Sequence, residues 1–294
     1  MRLRRLKLGS VDVLVCIPDE LAERIRSLVG LRRRVRLSDD SPRPHGTSAS
    51  TDVTAAGRDL ERRVDEIEWY HTIDLGQGVV TPGLFDHRPY LSEYRIPDQL
   101  DGMKVLDVAT FDGFWAFELE RRGAEVVALD LSTFAELDLP PRVRAGMPPG
   151  LGREIGQGFE LCRTVLGSKV RREVLSVYEL SPERLGKFDL VFMGDLLLHL
   201  MNPMKALQNV CRVTAGEAIV VDVFHPVLPG RLVTYESGVS HCIWWYLSYG
   251  ALEQMVRDAG FGTVECVNRF PLHHAKQQED GRPRPWRAVF KARP

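Results

Sequence analysis

The chain has 294 residues, with 39 Lys and Arg against 40 Asp and Glu and a formal net charge of −1. That length suits one large α/β domain with an appendage, and the charge balance gives no global argument for a nucleic-acid or membrane partner. No apolar run approaches the roughly 20 residues that a membrane span needs.

Residues 1–36 read as a basic N-terminal appendage. Arg2, Arg4, Arg5 and Lys7 open it, and Arg32, Arg33, Arg34 and Arg36 close it. Asp12 interrupts the first apolar run and no small-residue cleavage site follows, so we expect no signal peptide. Leu21, Ile25 and Val29 share one face of a helix expected over 18–29. Residues 37–57 are polar and rich in Ser, Thr, Pro and Gly, the composition of a flexible linker. The folded domain is expected to run from 58 to 294. The chain's five cysteines (Cys16 in the appendage, then Cys162, Cys211, Cys242 and Cys266) form no CxxC pair and read as reduced thiols of a cytoplasmic protein.

From residue 58 strands and helices alternate. The spacing predicts a helix over 58–67, a strand 104–108, a helix 113–122 and a strand 125–129. Further strands are expected near 172–175, 188–193, 218–223, 263–268 and 287–291, with helices over 203–213 and 249–259. Residues 132–170 resist placement. Short apolar strands alternating with helices predict a mostly parallel sheet covered on both faces. In such a sheet a ligand sits at the carboxyl ends of the strands, beside the point where strand order reverses.

Residues 104–131 carry the most chemistry. A strand ends in Asp107, a tight loop with Gly113 opens a helix, and a second strand ends in Asp130. A dinucleotide site would carry G-x-G-x-x-G here. This loop lacks it, and carboxylates beside a pyrophosphate would repel it. They suit S-adenosylmethionine, whose ammonium, sulfonium and ribose diol carry no phosphate. Asp130 is placed to accept the ribose hydroxyls and Asp107 to face the methionine end. Ala109, Thr110, Phe114 and Leu131 flank them, Ser176 and Val177 follow the third strand, and Gly194 and Asp195 form the lip of the fourth. The arrangement resembles the first two motifs of class I methyltransferases, with Ala109 and Phe111 where their D-x-G-x-G pattern has glycine.

Over residues 58–294 the chain also resembles the tRNA wobble-uridine (5-carboxymethoxyuridine or 5-methoxyuridine) methyltransferase family. The residues that carry this are Trp69-Tyr70-His71-Thr72-Ile73-Asp74, Gly78-Val79-Val80-Thr81-Pro82-Gly83, the stretch 188–194, the His199…Pro203 spacing and the tail from Arg287 to Pro294. The resemblance implies a Rossmann-like fold with a mostly parallel seven-stranded sheet and helices on both faces. Its best-known members use a carboxylated cofactor, holding the extra carboxylate with a Lys, a Tyr and an Arg. Those positions fall near His71, at Leu198 and at Arg287, so only the Arg is kept. A leucine cannot hydrogen-bond a carboxylate and an ordinary histidine is mostly neutral at pH 7. We therefore expect S-adenosylmethionine itself as cofactor.

Methyl transfer needs an aligned acceptor and, for a hydroxyl, a base. His199 after the fourth strand is the first candidate, with His225, His241 and His71 behind it. Trp69, Tyr70, His71, Trp244, Trp245 and Arg287 are the candidate acceptor contacts. No metal is expected: His273 and His274 are adjacent, and no HExxH or paired-cysteine spacing occurs. The leading expectation is methylation of a hydroxyl on a small-molecule, specialised-metabolite acceptor. The tRNA wobble uridine is the alternative acceptor. A non-catalytic S-adenosylmethionine binder is the alternative of another class, and a nicotinamide dehydrogenase a weaker fourth. Oligomeric state is not legible in the sequence.

Overall fold

The computed structural model describes residues 2–8, 11–17, 55–145, 154–236, 243–272 and 285–294. The chain divides into two units, Met1–Ser50 and Thr51–Pro294. In the first, β1 (Arg2–Leu8) and β2 (Val11–Ile17) pair antiparallel with Leu8 opposite Val11. The sequence reading gave this stretch no strand, although Gly9-Ser10 between two apolar-basic runs is a hairpin signal. The helix expected over 18–29 and the linker up to residue 54 lie outside the described residues.

The second unit opens with α1 (Ala55–Asp65), so the folded part begins slightly before residue 58. Seven strands form one sheet: β3 (Lys104–Val108), β4 (Glu125–Asp130), β5 (Arg171–Val174), β6 (Phe188–Gly194), β7 (Thr214–Phe224), β10 (Thr263–Pro271) and β11 (Trp286–Arg293). Their order is β10-β11-β7-β6-β3-β4-β5. The five central and distal strands run parallel, while β11 pairs antiparallel with both β7 and β10. Strand order reverses at β3, which has β4 on one side and β6 on the other. A separate two-stranded antiparallel sheet pairs β8 (Val233–Tyr235) with β9 (Trp245–Leu247).

Alternate strand residues feed two cores. Val105 and Phe192 face α1, α2 (Phe114–Arg121) and α4 (Gln157–Leu166). Leu106, Val191 and Met193 face α6 (Pro203–Val213) and α7 (Tyr249–Asp258). The helix starts are chemically marked. Asn202 caps α6 by accepting from the Lys205 amide with Pro203 in the first turn, and Ser248 caps α7 through the Ala251 amide. Helix α4 falls in the stretch the sequence left unplaced; its buried Phe159, Leu161 and Cys162 form one apolar stripe behind a Gly-rich approach. Two short helices, α3 (Pro141–Ala145) and α5 (Pro182–Leu185), complete the set.

Between α1 and β3 the chain forms a strap over the sheet. Thr81 ties it together: its hydroxyl donates to the His71 carbonyl and accepts from the Ile73 amide, both at 2.7 Å. The Thr72 amide reaches the Phe85 carbonyl and the Phe85 amide the Tyr70 carbonyl. Gly83 sits where the two limbs meet. A Cβ there would lie 2.1 Å from the His71 carbonyl carbon and 2.3 Å from the Thr72 nitrogen. Since these are backbone atoms, the strap would have to move. Gly83→Ala should cost about 1–3 kcal/mol of stability, read as a lower urea midpoint with unchanged slope. An unchanged midpoint would show that the strap yields freely.

Candidate functional site

The loop between β3 and α2 sets the site. Ala109 and Phe111 have φ of 62° and 49°, and Gly113 has 89°. The chain therefore adopts the left-handed turns that glycine favours, using an alanine and a phenylalanine. The loop is held by neighbouring strand ends. The Ala109 and Thr110 amides donate to the Leu129 carbonyl, and the Phe111 amide donates to Asp130 Oδ2 at 2.6 Å. Asp130 Oδ1 accepts from the Leu131 amide at 2.7 Å.

Beside this loop, at the carboxyl ends of β3, β4 and β6, lies a cavity of about 550 Å³. Of the residues singled out for a cofactor, Asp107, Ala109, Asp130, Leu131, Ser176, Val177, Gly194 and Asp195 all line it. Thr110, Gly113 and Phe114 belong to the same loop and helix start but do not line the cavity, although Thr110 interacts with Asp107. Tyr70, His71 and His199 line it too.

Other candidates fall elsewhere. The Trp69 indole donates to the Val64 carbonyl, packing the strap onto α1. Trp244 and Trp245 do not reach the cavity: their indole N–H groups donate to the carbonyls of Asp138 and Leu200. His225 closes the turn after β7, its amide donating to Leu247. His241 lies outside the described residues, as do His273 and His274. Arg287 sits behind the cavity wall, almost fully buried, with Nε and Nη2 on the carboxylate of Asp195 at 2.7–3.0 Å.

The sequence reading missed two parts of the wall. One is the strap's far limb, where His87, buried, shares a 2.7 Å hydrogen bond between Nδ1 and Tyr94 Oη. The other is a flap built from residues 132–145 and 154–156, which contributes Phe134, Leu137, Asp138, Arg144 and Ile155. Thr133 bridges to Glu154, and the Ile155 amide donates to Ser132. Asp138 fastens the flap to the segments after β5 and β6, accepting from Tyr178 Oη at 2.5 Å and the Met201 amide at 2.6 Å. Neither part shows a helical or strand period, which is why pattern reading passed over them.

Burial governs the ionisable groups. It pushes Asp107 and Asp112 up to about 7. Asp107 Oδ2 has no hydrogen-bond partner, whereas Asp112 Oδ2 accepts the amides of Tyr70 and His71 at 2.6 and 2.9 Å. Asp130 is also raised by burial. Asp222, fully buried, is pushed up to about 7 although it accepts the amides of Leu196, Leu197 and Val223. His71 is pushed down to about 3 by burial and is neutral. His87 is lowered in the same way. Burial, and then the charge of Asp195, raises the Tyr70 phenol, which stays protonated. Among the described residues no group of three or more His, Cys, Asp or Glu is placed to hold a metal ion.

No family model matches the chain. Over 54 residues it is 44% identical to magnesium-protoporphyrin O-methyltransferase of Rhodobacter capsulatus. That match takes in 17% of this chain and spans only 24% of the relative's length. Among solved structures, the N-terminal domain of EvdMO1 with SAH bound superposes with a TM-score of 0.53 at 18% identity, covering 80% of this chain and 96% of that one. The same domain in the presence of SAH and D-fucose gives 0.52 at 17% identity, covering 83% and 99%. The fold is the Rossmann-like fold of class I methyltransferases. In that fold the reversal at β3 places the cavity where strand ends and the β3–α2 loop converge.

Two outcomes follow from this geometry. Ala109→Gly should stabilise the chain by up to about 1 kcal/mol, because glycine takes the left-handed turn without strain; denaturant melts that show a loss instead would mean the methyl group packs usefully. Asp107 is raised above its ordinary 3.8, so the folded chain holds its proton to higher pH than the unfolded chain does. Its contribution to stability therefore falls as pH rises above about 3.8, and the loss is complete only above about 7. Asp107→Asn should gain clearly more stability over the parent at pH 8 than at pH 5. A difference independent of pH would rule this out.

Proposed function

We propose that the chain transfers the methyl group of S-adenosylmethionine to a hydroxyl oxygen of a small-molecule acceptor, of the specialised-metabolite kind. The observation that carries this is the pair of carboxylates, Asp107 and Asp130, at adjacent strand ends in a cavity whose loop has no phosphate-binding glycine triplet. A buried carboxylate oxygen without a partner asks for a donor, and Asp107 Oδ2 fits an ammonium group. Asp130 spends one lone pair of each oxygen on a backbone amide and keeps others for ribose hydroxyls. The bound cofactor supplies an electrophilic methyl carbon on a sulfonium. Ser176 and Val177 stand at the β5 side for the adenine, and Phe134 of the flap lines the same cavity.

The protein's own work is alignment and exclusion of water. Gly194 and Asp195 end β6 beside the strap residue Tyr70, and these flank the acceptor. His199 is the candidate base for the acceptor proton, on the cavity wall after β6. His225 lies outside the cavity and is not assigned that role. Free thiols at Cys162, Cys211 and Cys266 suit a reducing, cytoplasmic compartment. We keep residues 1–36 as a basic appendage, 37–57 as a linker and 58–294 as the catalytic domain, with α1 starting just ahead of that boundary.

A small acceptor is favoured over tRNA because, among the described residues, three arginines around the cavity flap and β5 are engaged within the chain. Arg144 turns inward to the carbonyls of Ala135 and Leu137, Arg172 to those of Leu131 and Ile155, and Arg171 pairs with Glu173. RNA affinity rests mainly on free cations. No helix among the described residues is long and apolar enough to cross a membrane.

Calorimetric titration with S-adenosylhomocysteine tests the reading. The wild type should bind at micromolar levels, and Asp130→Ala should weaken binding at least about tenfold, the scale of one or two lost hydrogen bonds. A folded wild type that does not bind would overturn the cofactor assignment and with it the activity.

A further inference from the structure

At the β6 lip a buried arginine, Arg287, is shut off from the cavity by a carboxylate of the chain itself. Asp195 lines the cavity and Arg287 does not. Nε of Arg287 lies 3.0 and 2.8 Å from the two oxygens of Asp195, and Nη2 lies 2.7 Å from Oδ2. Arg287 is 1% exposed, its Nη1 has no hydrogen-bond partner, and the Phe85 ring covers its guanidinium at 5.4 Å. The cation is thus neutralised on its cavity side. The other polar groups at this end add no positive charge, since His71 and His87 are neutral and Tyr70 carries its proton.

Asp195 also holds an expensive backbone position. Its φ is 50°, a conformation that costs most side chains energy but that Asp, Asn and Gly tolerate best. The fold thus turns the chain sharply after Gly194 and presents a carboxylate to Arg287 from the cavity side. A plain hydrophobic or hydroxyl side chain there would leave the arginine open to whatever anion entered the cavity. Breaking one side of a buried pair is costly, so any ligand carboxylate must displace Asp195 and leave it unpaired.

We propose that Asp195 is the charge-selecting residue of this site: by occupying Arg287 it makes the acceptor end accept uncharged groups and reject a ligand carboxylate. The proposal rests on the methyltransferase reading for the word acceptor, but the pairing itself can be tested without turnover. Removing the carboxylate should convert Arg287 into an anion site. Asp195→Gly and Asp195→Asn both keep the left-handed turn, so a loss of folding in one leaves the other to be measured.

The experiment has two arms. In the first, melting temperatures of wild type and both variants are compared in sodium acetate and in sodium chloride at equal ionic strength. Acetate should raise the melting temperature of Asp195→Gly, or of Asp195→Asn if the glycine variant does not fold, by at least about 2 °C over chloride and leave the wild type unmoved. In the second, benzoate and phenol are titrated into protein saturated with S-adenosylhomocysteine. Benzoate should bind Asp195→Asn at least about tenfold tighter than wild type, with phenol changing less than about threefold. Variants that show no acetate-specific rise, or benzoate binding equal in or absent from both proteins, would overturn the proposal. Failure of wild type to bind S-adenosylhomocysteine would overturn the methyltransferase reading instead, and the acetate arm would still decide whether Asp195 plugs Arg287.

Discussion

A carboxylate withdrawn from water must find donors, and around this cavity the donors are backbone amides of loops. Asp112 takes the amides of Tyr70 and His71 and so fixes the strap. Asp130 takes that of Phe111 and fixes the loop after β3. Asp222 takes those of Leu196 and Leu197 and fixes the chain after β6. Asp138 takes that of Met201 and fixes the flap. Loops rarely have enough apolar surface to hold themselves in place. Here each wall segment is held by a charge-assisted bond from a neighbouring element, the stronger kind of hydrogen bond. The site is consequently a cooperative object: the residue that orders the strap, Asp112, sits inside the very loop that the cofactor would touch.

The same logic explains how the β3–α2 loop keeps its path without the usual glycines. Left-handed φ at Ala109 and Phe111 is unfavourable in isolation. The Phe111 amide bond to Asp130 and the two amides on Leu129 offset that cost. Phenylalanine also brings something glycine cannot. Its ring meets Tyr70 at 5.6 Å and Phe134 at 6.1 Å, linking loop, strap and flap across the cavity. A loop that looks degenerate by its glycine count is thus repaired by hydrogen bonds and by an aromatic contact.

Much of the fold was legible because the sheet is made of short apolar runs whose period is local. The strand over 104–108 and the helix over 203–213 were read with the bounds they have, and the strand ends put Asp107 and Asp130 together with no knowledge of tertiary structure. What escaped the reading depends on partners far along the chain. Trp244 read as an acceptor contact, yet its indole is committed to Asp138, over a hundred positions earlier. Arg287 read as an acceptor contact, and the partner that occupies it, Asp195, lies on another strand end. His87 had no period around it to mark it as buried. Such pairings follow from sheet order and loop paths, which residue patterns do not encode.

The carboxylates themselves separate structural from ligand-facing roles. Asp130 and Asp222 have both oxygens engaged by amides, and Asp195 has both engaged by Arg287. Among the described residues, Asp107 Oδ2 is the buried carboxylate oxygen left without a partner. Its burial cost is only partly offset within the chain, by Thr110 and the Ala116 amide, and burial dominates in raising Asp107 to about 7. A cationic ligand would offset the remainder and restore the charge. A neutral or anionic one would not. The polarity of the site therefore runs from a cation-seeking end at Asp107 to a self-neutralised end at Asp195 and Arg287, the gradient expected where a positively charged methyl donor meets an uncharged acceptor.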